Sequence, residues 1–227
     1  MDMIDIKLPS NAENIQLPDP GLLSFFKNYE NRILWIDDEI DENTLEYAKM
    51  IMQWNFEDSR NEIPKDERKK ITLIFFSPGG DLNVNNCLVD TISLSETPII
   101  GVNAGMAASS GCFIYLACHE RYTFPKAEFL LHKGFGTFTG GYNELVAALL
   151  NYQRQIEELG EFVLSRTRIP RELFDQNFES DWYLSAKEAV ELGVADKIIT
   201  KLDDVIDLNG NKRRKTIWQK IFHTNRT

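Results

Sequence analysis

The sequence predicts an α/β fold with a largely parallel sheet. Two observations lead there. Short apolar, β-branched runs alternate with segments whose apolar residues recur every three or four positions. The stretches between successive runs are long enough to carry a helix, which a parallel connection requires. No internal repeat interrupts this order.

Residues 1–20 read as an irregular arm, because Pro9, Pro18 and Pro20 discourage regular structure. A short helix is expected over 21–31 and a strand over 32–36. Leu45, Ala48, Ile51 and Met52 have helical spacing over 45–54. Residues 57–70 read as a charged loop with Pro64. The run 71–76 is a strand that stops abruptly at Ser77-Pro78-Gly79-Gly80. A helix over 83–94 and a strand over 98–103 follow. Residues 107–118 are apolar nearly all round, hence a buried helix, and 128–132 is a short strand. Beyond four glycines (Gly134, Gly136, Gly140, Gly141) comes a helix over 143–167, roughly 37 Å long at 1.5 Å per residue. Its Leu145, Leu149, Tyr152, Ile156, Leu159 and Val163 form a seam with steps of four and three. Ser185 with Glu188 is a capping box that opens a helix over 185–192, and Gly193 stops it. A last strand is expected over 195–200.

At 227 residues the chain is sized for one domain with an appendage. Its 43% hydrophobic and 26% charged residues exclude a disordered or collagenous protein. No stretch approaches the roughly 18 uninterrupted apolar residues of a membrane helix. Residues 1–20 lack the basic start and apolar core of a secretory signal, so a cytoplasmic protein is expected. Cys87, Cys112 and Cys118 are too few for a disulfide framework and read as small buried hydrophobes. The net charge is −10, yet residues 212–227 carry six Lys and Arg and no acid, which leaves the body at −16. So acidic a body argues against nucleic acid as a ligand. The basic tail reads most simply as a solvated extension, with an acidic partner or a membrane surface as its other reading.

Two places carry chemistry. After the strand over 71–76, Gly79 and Gly80 free backbone N–H groups to point at one place ahead of a helix, which suits an oxyanion. The second is 98–118, where Ser109-Ser110-Gly111 opens a buried helix. A serine there is ordinarily a helix cap; the alternative is a nucleophile, which needs a base and an orienting acid. Of three histidines, His223 lies in the basic tail and His119 follows the buried helix beside charged residues. His132 ends a strand before the glycine-rich segment, where site residues of α/β sheets gather. Among 35 acids local reading leaves the choice open; Asp181 is plausible because Trp182 and Tyr183 would shield it.

These residues resemble the ClpP family, the proteolytic subunits of the ATP-dependent Clp protease, over about residues 32–200. The likeness rests on Phe76 to Gly80, on Gly105-Met-Ala-Ala-Ser109-Ser-Gly111, on Leu130-Leu-His132, and on Asp181-Trp-Tyr-Leu-Ser-Ala186 followed by Glu188 to Gly193, all in the family's order. The resemblance implies a ClpP/crotonase-like spiral of β-β-α units with a long protruding handle helix. It divides the chain into an N-terminal arm (1–31), a peptidase domain (32–200) and a basic C-terminal extension (201–227). It implies Ser109 as nucleophile, His132 as base, Asp181 as acid, and the N–H groups of Gly80 and Ser110 as oxyanion donors. Substrate contacts would fall on Gly79, Asp81, Lys133, Gly134 and Phe135, with peptide added as a strand near 134–141. Since only the N–H of Ser110 is used in this scheme, Ser110→Ala is expected to retain most activity.

The resemblance also implies polypeptide substrates, no cofactor or metal, stacked seven-membered rings joined through the long helix, and a AAA+ unfoldase partner. That partner would use the ATP, since this chain has no P-loop. Departures are visible. Ser110 stands where the family has Met, Lys133-Gly134 where it has Gln-Pro, the 57–70 stretch is long, and 1–31 shows no pore loop. Two other readings stand beside it: a crotonase-type acyl-CoA hydratase or isomerase, which would ordinarily carry Gly at Ser109, and a non-catalytic ring subunit.

Overall fold

The computed structural model describes residues 19–208; the basic tail lies outside them. The element order is α1 (Pro20–Glu30), β1 (Ile33–Ile36), a 3-10 turn (Glu42–Thr44), α2 (Leu45–Arg60), β2 (Ile71–Ser77), α3 (Leu82–Ser93), β3 (Ile99–Ala108) and α4 (Ser110–Ala117). Then come β4 (Glu120–Thr123), β5 (Glu128–Leu131), α5 (Tyr142–Arg166), α6 (Arg171–Asn177), β6 (Trp182–Ser185), α7 (Ala186–Glu191), β7 (Lys197–Ile198) and α8 (Leu202–Leu208). The expected α/β alternation is observed, with α1 at the place of the expected first helix and α8 added at the other end.

The sheet runs β1-β2-β3-β4-β7, all parallel, and forks at β3. The first half of β3 pairs with β4 (Ile100↔Glu120 to Asn103↔Thr123), the second half with β5 (Met106↔Glu128 to Ala108↔Leu130). β6 closes this second branch antiparallel to β5. The fork is a bulge: against β2 the register passes from Phe75↔Asn103 straight to Phe76↔Met106. Asn103, fully buried, holds it, its amide donating to Glu128 O (2.8 Å) and accepting from the Gly105 N–H (3.1 Å). The bulge redirects β3 toward β5 and so delivers Ser109 beside the end of β5.

One face of the sheet packs under α2, α3 and α4. Its centre is an aromatic run, Phe75–Tyr115–Phe129, with centroids 5.4 and 5.2 Å apart, and the Tyr115 hydroxyl donates to Tyr122 O (2.9 Å). The other face carries a smaller cluster of Ile74, Ile100, Val102 and Ile199, with Val205 of α8 against it. Burial pushes the Cys112 and Cys118 thiols up to about 12, so both are inert, as small core hydrophobes should be. No described helix is long and apolar enough to cross a membrane.

Several elements differ from expectation. α2 continues to Arg60, through the first part of the expected charged loop, because Trp54 and Asp58 keep the buried face going. Asp58 is a charge at a core position, neutralised by Arg32, and this masks the helical period. The helix expected from 107 begins at Ser110, since an unbroken apolar run cannot itself mark where strand becomes helix. The short elements β4, α6 and β6 were not anticipated. The Ser185–Glu188 capping box and the left-handed Gly193 (φ 75°) are as read.

Candidate active site

The site is assembled where β2, β3 and β5 end. Ser77, the last residue of β2, is fully buried; its hydroxyl donates to Asp38 O (2.6 Å) and accepts from the Gly79 N–H (3.2 Å). The two residues after Pro78 must be glycine. Gly79 has φ 97°, and a Cβ there would sit 2.7 Å from both Ala108 O and Ser109 Cβ. Gly80 has φ 153°, and a Cβ would meet Ile40 O at 2.2 Å. Ile40 clamps this loop by two backbone bonds, its N–H donating to Gly79 O (2.8 Å) and its carbonyl accepting from the Asp81 N–H (2.7 Å). The N–H groups of Gly80 and Ser110 have no acceptor among the described residues, and both residues line the same cleft.

Ser109 stands at the N-cap position of α4, but its side chain does not cap the helix. Its backbone lies at φ 51°, ψ −125°, its side chain makes no capping bond, and its N–H donates to Leu130 O (2.9 Å). A non-glycine residue held there stores strain, which concentrates at functional sites. The hydroxyl lies 2.8 Å from His132 Nε2, and His132 Nδ1 lies 3.1 Å from Asp181 Oδ1. With the proton on Nδ1, Ser109 donates to the imidazole and the imidazole donates to the carboxylate. The β5–β6 register explains the second contact. Leu131 pairs with Trp182, and His132 with Asp181 is the next step of that ladder. Trp182 and Tyr183 do not shield Asp181 as expected: its side chain is 61% exposed, against 16% for His132. His119 serves the fold instead, Nδ1 accepting from the Ile99 N–H (2.9 Å), and burial lowers its pKa.

A cleft of about 660 Å³ opens beside these groups. Gly79, Asp81, Lys133, Gly134 and Phe135 all line it, while Phe113, Leu130, Ile156 and Leu159 give it an apolar wall. Asp81 is committed elsewhere, capping α3 by accepting from the N–H groups of Asn83 (2.8 Å) and Val84 (2.9 Å). Lys133 turns away to pair with Glu179. Among the described residues no group of three or more His, Cys, Asp or Glu is arranged to hold a metal ion.

A family model described as Clp protease matches residues 24–202, well over half the chain. The chain belongs to the Clp protease family. Among solved structures it is similar to a ClpP1 variant from Listeria monocytogenes, at 23% identity and a TM-score of 0.66, over 79% of this chain and 98% of that one. The mixed α/β architecture with its parallel sheet and long α5 is therefore the ClpP fold. Set against the family's motifs, this Clp protease family member carries features that sequence reading missed. Ile40 clamps the glycine loop from 39 residues away, and the Tyr152 hydroxyl of α5 donates to Lys133 O (3.0 Å) beside His132. No local motif signals either contact, since each is made between distant segments.

Proposed function

We propose that this chain is a serine endopeptidase that cleaves unfolded polypeptides inside a chamber built from copies of itself. The reading rests on one observation above all, the continuous Ser109–His132–Asp181 contact chain at 2.8 and 3.1 Å beside two unpaired backbone donors. Ser109 Oγ attacks the scissile carbonyl carbon as its proton passes to His132 Nε2. Asp181 holds the imidazole tautomer and stabilises the imidazolium. The N–H groups of Gly80 and Ser110 receive the developing oxyanion, each contributing about 3 kcal/mol on the scale measured for such donors. The tetrahedral species collapses, the C–N bond breaks, and His132 returns its proton to the leaving amine. Water then hydrolyses the acyl-Ser109 ester by the same route. Peptide lies extended beside residues 134–141 and adds to their backbone as a strand. The exposed apolar face of α5 fits a contact between stacked rings, and a AAA+ unfoldase would deliver substrate in the cytoplasm.

The test is labelling with a fluorophosphonate probe and mapping of the adduct by mass spectrometry, with His132→Ala as control. An adduct on Ser109 that disappears in the His132 variant supports the reading. A chain that stays unlabelled, both as purified and with an added Clp unfoldase, sinks it and favours a crotonase-like enzyme or a scaffold.

A further inference from the structure

Ser110 does more than present its N–H. Its side chain is buried, at 3% exposure, and its hydroxyl donates to Gly80 O at 2.8 Å. The two residues so joined are the two whose N–H groups are left unpaired at the mouth of the cleft. The glycine loop is already held from its far side by Ile40, through Gly79 O and the Asp81 N–H. On the near side the Ser110 hydroxyl is the side-chain tie to it. Gly80 needs such a tie, because glycine has no side chain to limit its φ and ψ.

A second buried residue braces the other end of Ser110. Asn85 of α3 is fully buried, and with its amide turned so that both ends are satisfied it donates to Ser110 O (3.1 Å) and accepts from the Asn86 N–H (3.3 Å). The chain Asn85–Ser110–Gly80 therefore links the start of α3, the start of α4 and the end of the β2 loop through polar contacts whose first two members are buried. A buried hydroxyl deprived of its role here would leave Gly80 O without this donor.

We propose that the Ser110 hydroxyl is a positioning residue that sets the separation and aim of the two oxyanion donors. The inference rests on the peptidase reading. It also reverses the expectation drawn from motif comparison, that Ser110→Ala retains most activity. Binding of extended peptide uses other parts of the cleft, so the tie acts on the transition state and not on the ground state.

The experiment compares the wild-type chain with Ser110→Ala and Ser110→Thr, using a fluorogenic peptide, fluorophosphonate labelling rates and thermal melts. Rates are normalised to the fraction of folded protein. The expected result is a fall of about tenfold in kcat and in labelling rate for Ser110→Ala, with KM changed less than twofold. That is smaller than the 100- to 1,000-fold loss typical when a donor is removed outright, because the N–H itself remains. Ser110→Thr keeps the hydroxyl and is expected within threefold of wild type. A Ser110→Ala chain with wild-type kcat and labelling overturns the proposal and leaves the peptidase reading intact. So does a Ser110→Thr chain that is stably folded yet as slow as Ser110→Ala. A wild-type chain that neither labels nor cleaves overturns the peptidase reading, and this inference falls with it.

Discussion

Ser109 occupies φ 51°, ψ −125°, a region where a Cβ is unwelcome and glycine is at ease. Three bonds hold it there: its N–H donates to Leu130 O, and its carbonyl accepts from the N–H groups of Cys112 and Phe113 at the start of α4. The strain raises the side chain out of the turn and toward His132, and residues in such sparsely populated conformations cost roughly 1–3 kcal/mol. Ser109→Gly and Ser109→Ala should therefore part company. Both lack the hydroxyl and should be inactive, but Ser109→Gly should be the more stable by about 1 kcal/mol, read by denaturant melts of the two variants. Equal stability, or a more stable Ser109→Ala, would show that no strain resides at this turn. Very little of this was legible in the sequence. A serine ahead of a helix has the composition of a cap whether or not it is one, and only the backbone angles separate the two. His132 was legible because it ends a strand, whereas Asp181 needed the family resemblance. The pairing that brings it to His132 is a β5–β6 register, and β6 is too short to announce itself.

At the scale of elements, α2 shows how a buried charge both hides a helix and secures it. Asp58 is 1% exposed and bound by Arg32 through two bonds of 2.7 Å and by the Thr97 hydroxyl at 2.8 Å. Arg32 itself lies over the Trp54 ring, 5.8 Å from its centroid. One carboxylate thus ties the start of β1, the end of α2 and the turn before β3 together. Burial alone would raise the Asp58 pKa, but the hydrogen bonds from Arg32 and Thr97 outweigh it and hold the carboxyl below its ordinary value. The unfolded chain therefore takes up this proton at a higher pH than the folded one. The stabilisation is complete above the ordinary carboxylate range and is lost as pH falls through the depressed folded pKa. Asp58→Asn should be destabilised by about 3–5 kcal/mol near neutral pH, because Arg32 is left buried without its counter-charge. Melting curves from pH 7 down to pH 3 should then converge, since wild type loses what the variant already lacks. Curves that stay parallel would show that Asp58 does not drive acid unfolding. The same residue explains why the sequence suggested a loop from 57: a charge at the position where the helical period asks for an apolar side chain breaks the pattern on which the helix was read.

The whole molecule is marked by the uneven way α5 is covered. Leu159 and Val163 at its C-terminal end are buried, while Tyr142, Leu149 and Leu150 are 81%, 57% and 61% exposed. A helix of 25 residues with its apolar seam half in the core and half in water is what the proposed contact with a second copy would use. This was legible as an apolar seam with steps of four and three, although which half of it would be buried was not. The exposed half is joined to the site. Tyr152, between the two halves, donates to Lys133 O, one residue from His132, and its ring packs edge-on against Phe138 at 5.6 Å. Packing of the α5 face against a second copy would restrain Tyr152 and, through Lys133, the segment after β5 that carries His132. A paired Leu149→Asp and Leu150→Asp substitution should leave the fold intact, since both side chains lie in water, and should halve the mass of the particle measured by light scattering. If assembly and catalysis are coupled through Tyr152, the smaller particle should also cleave peptide at least several-fold more slowly, with Ser109 still present and the monomer fold unchanged by circular dichroism. An undiminished mass would remove α5 as the contact between rings. A halved mass with full activity would show that the site needs no support from the second ring, and that Tyr152 holds Lys133 firmly enough alone.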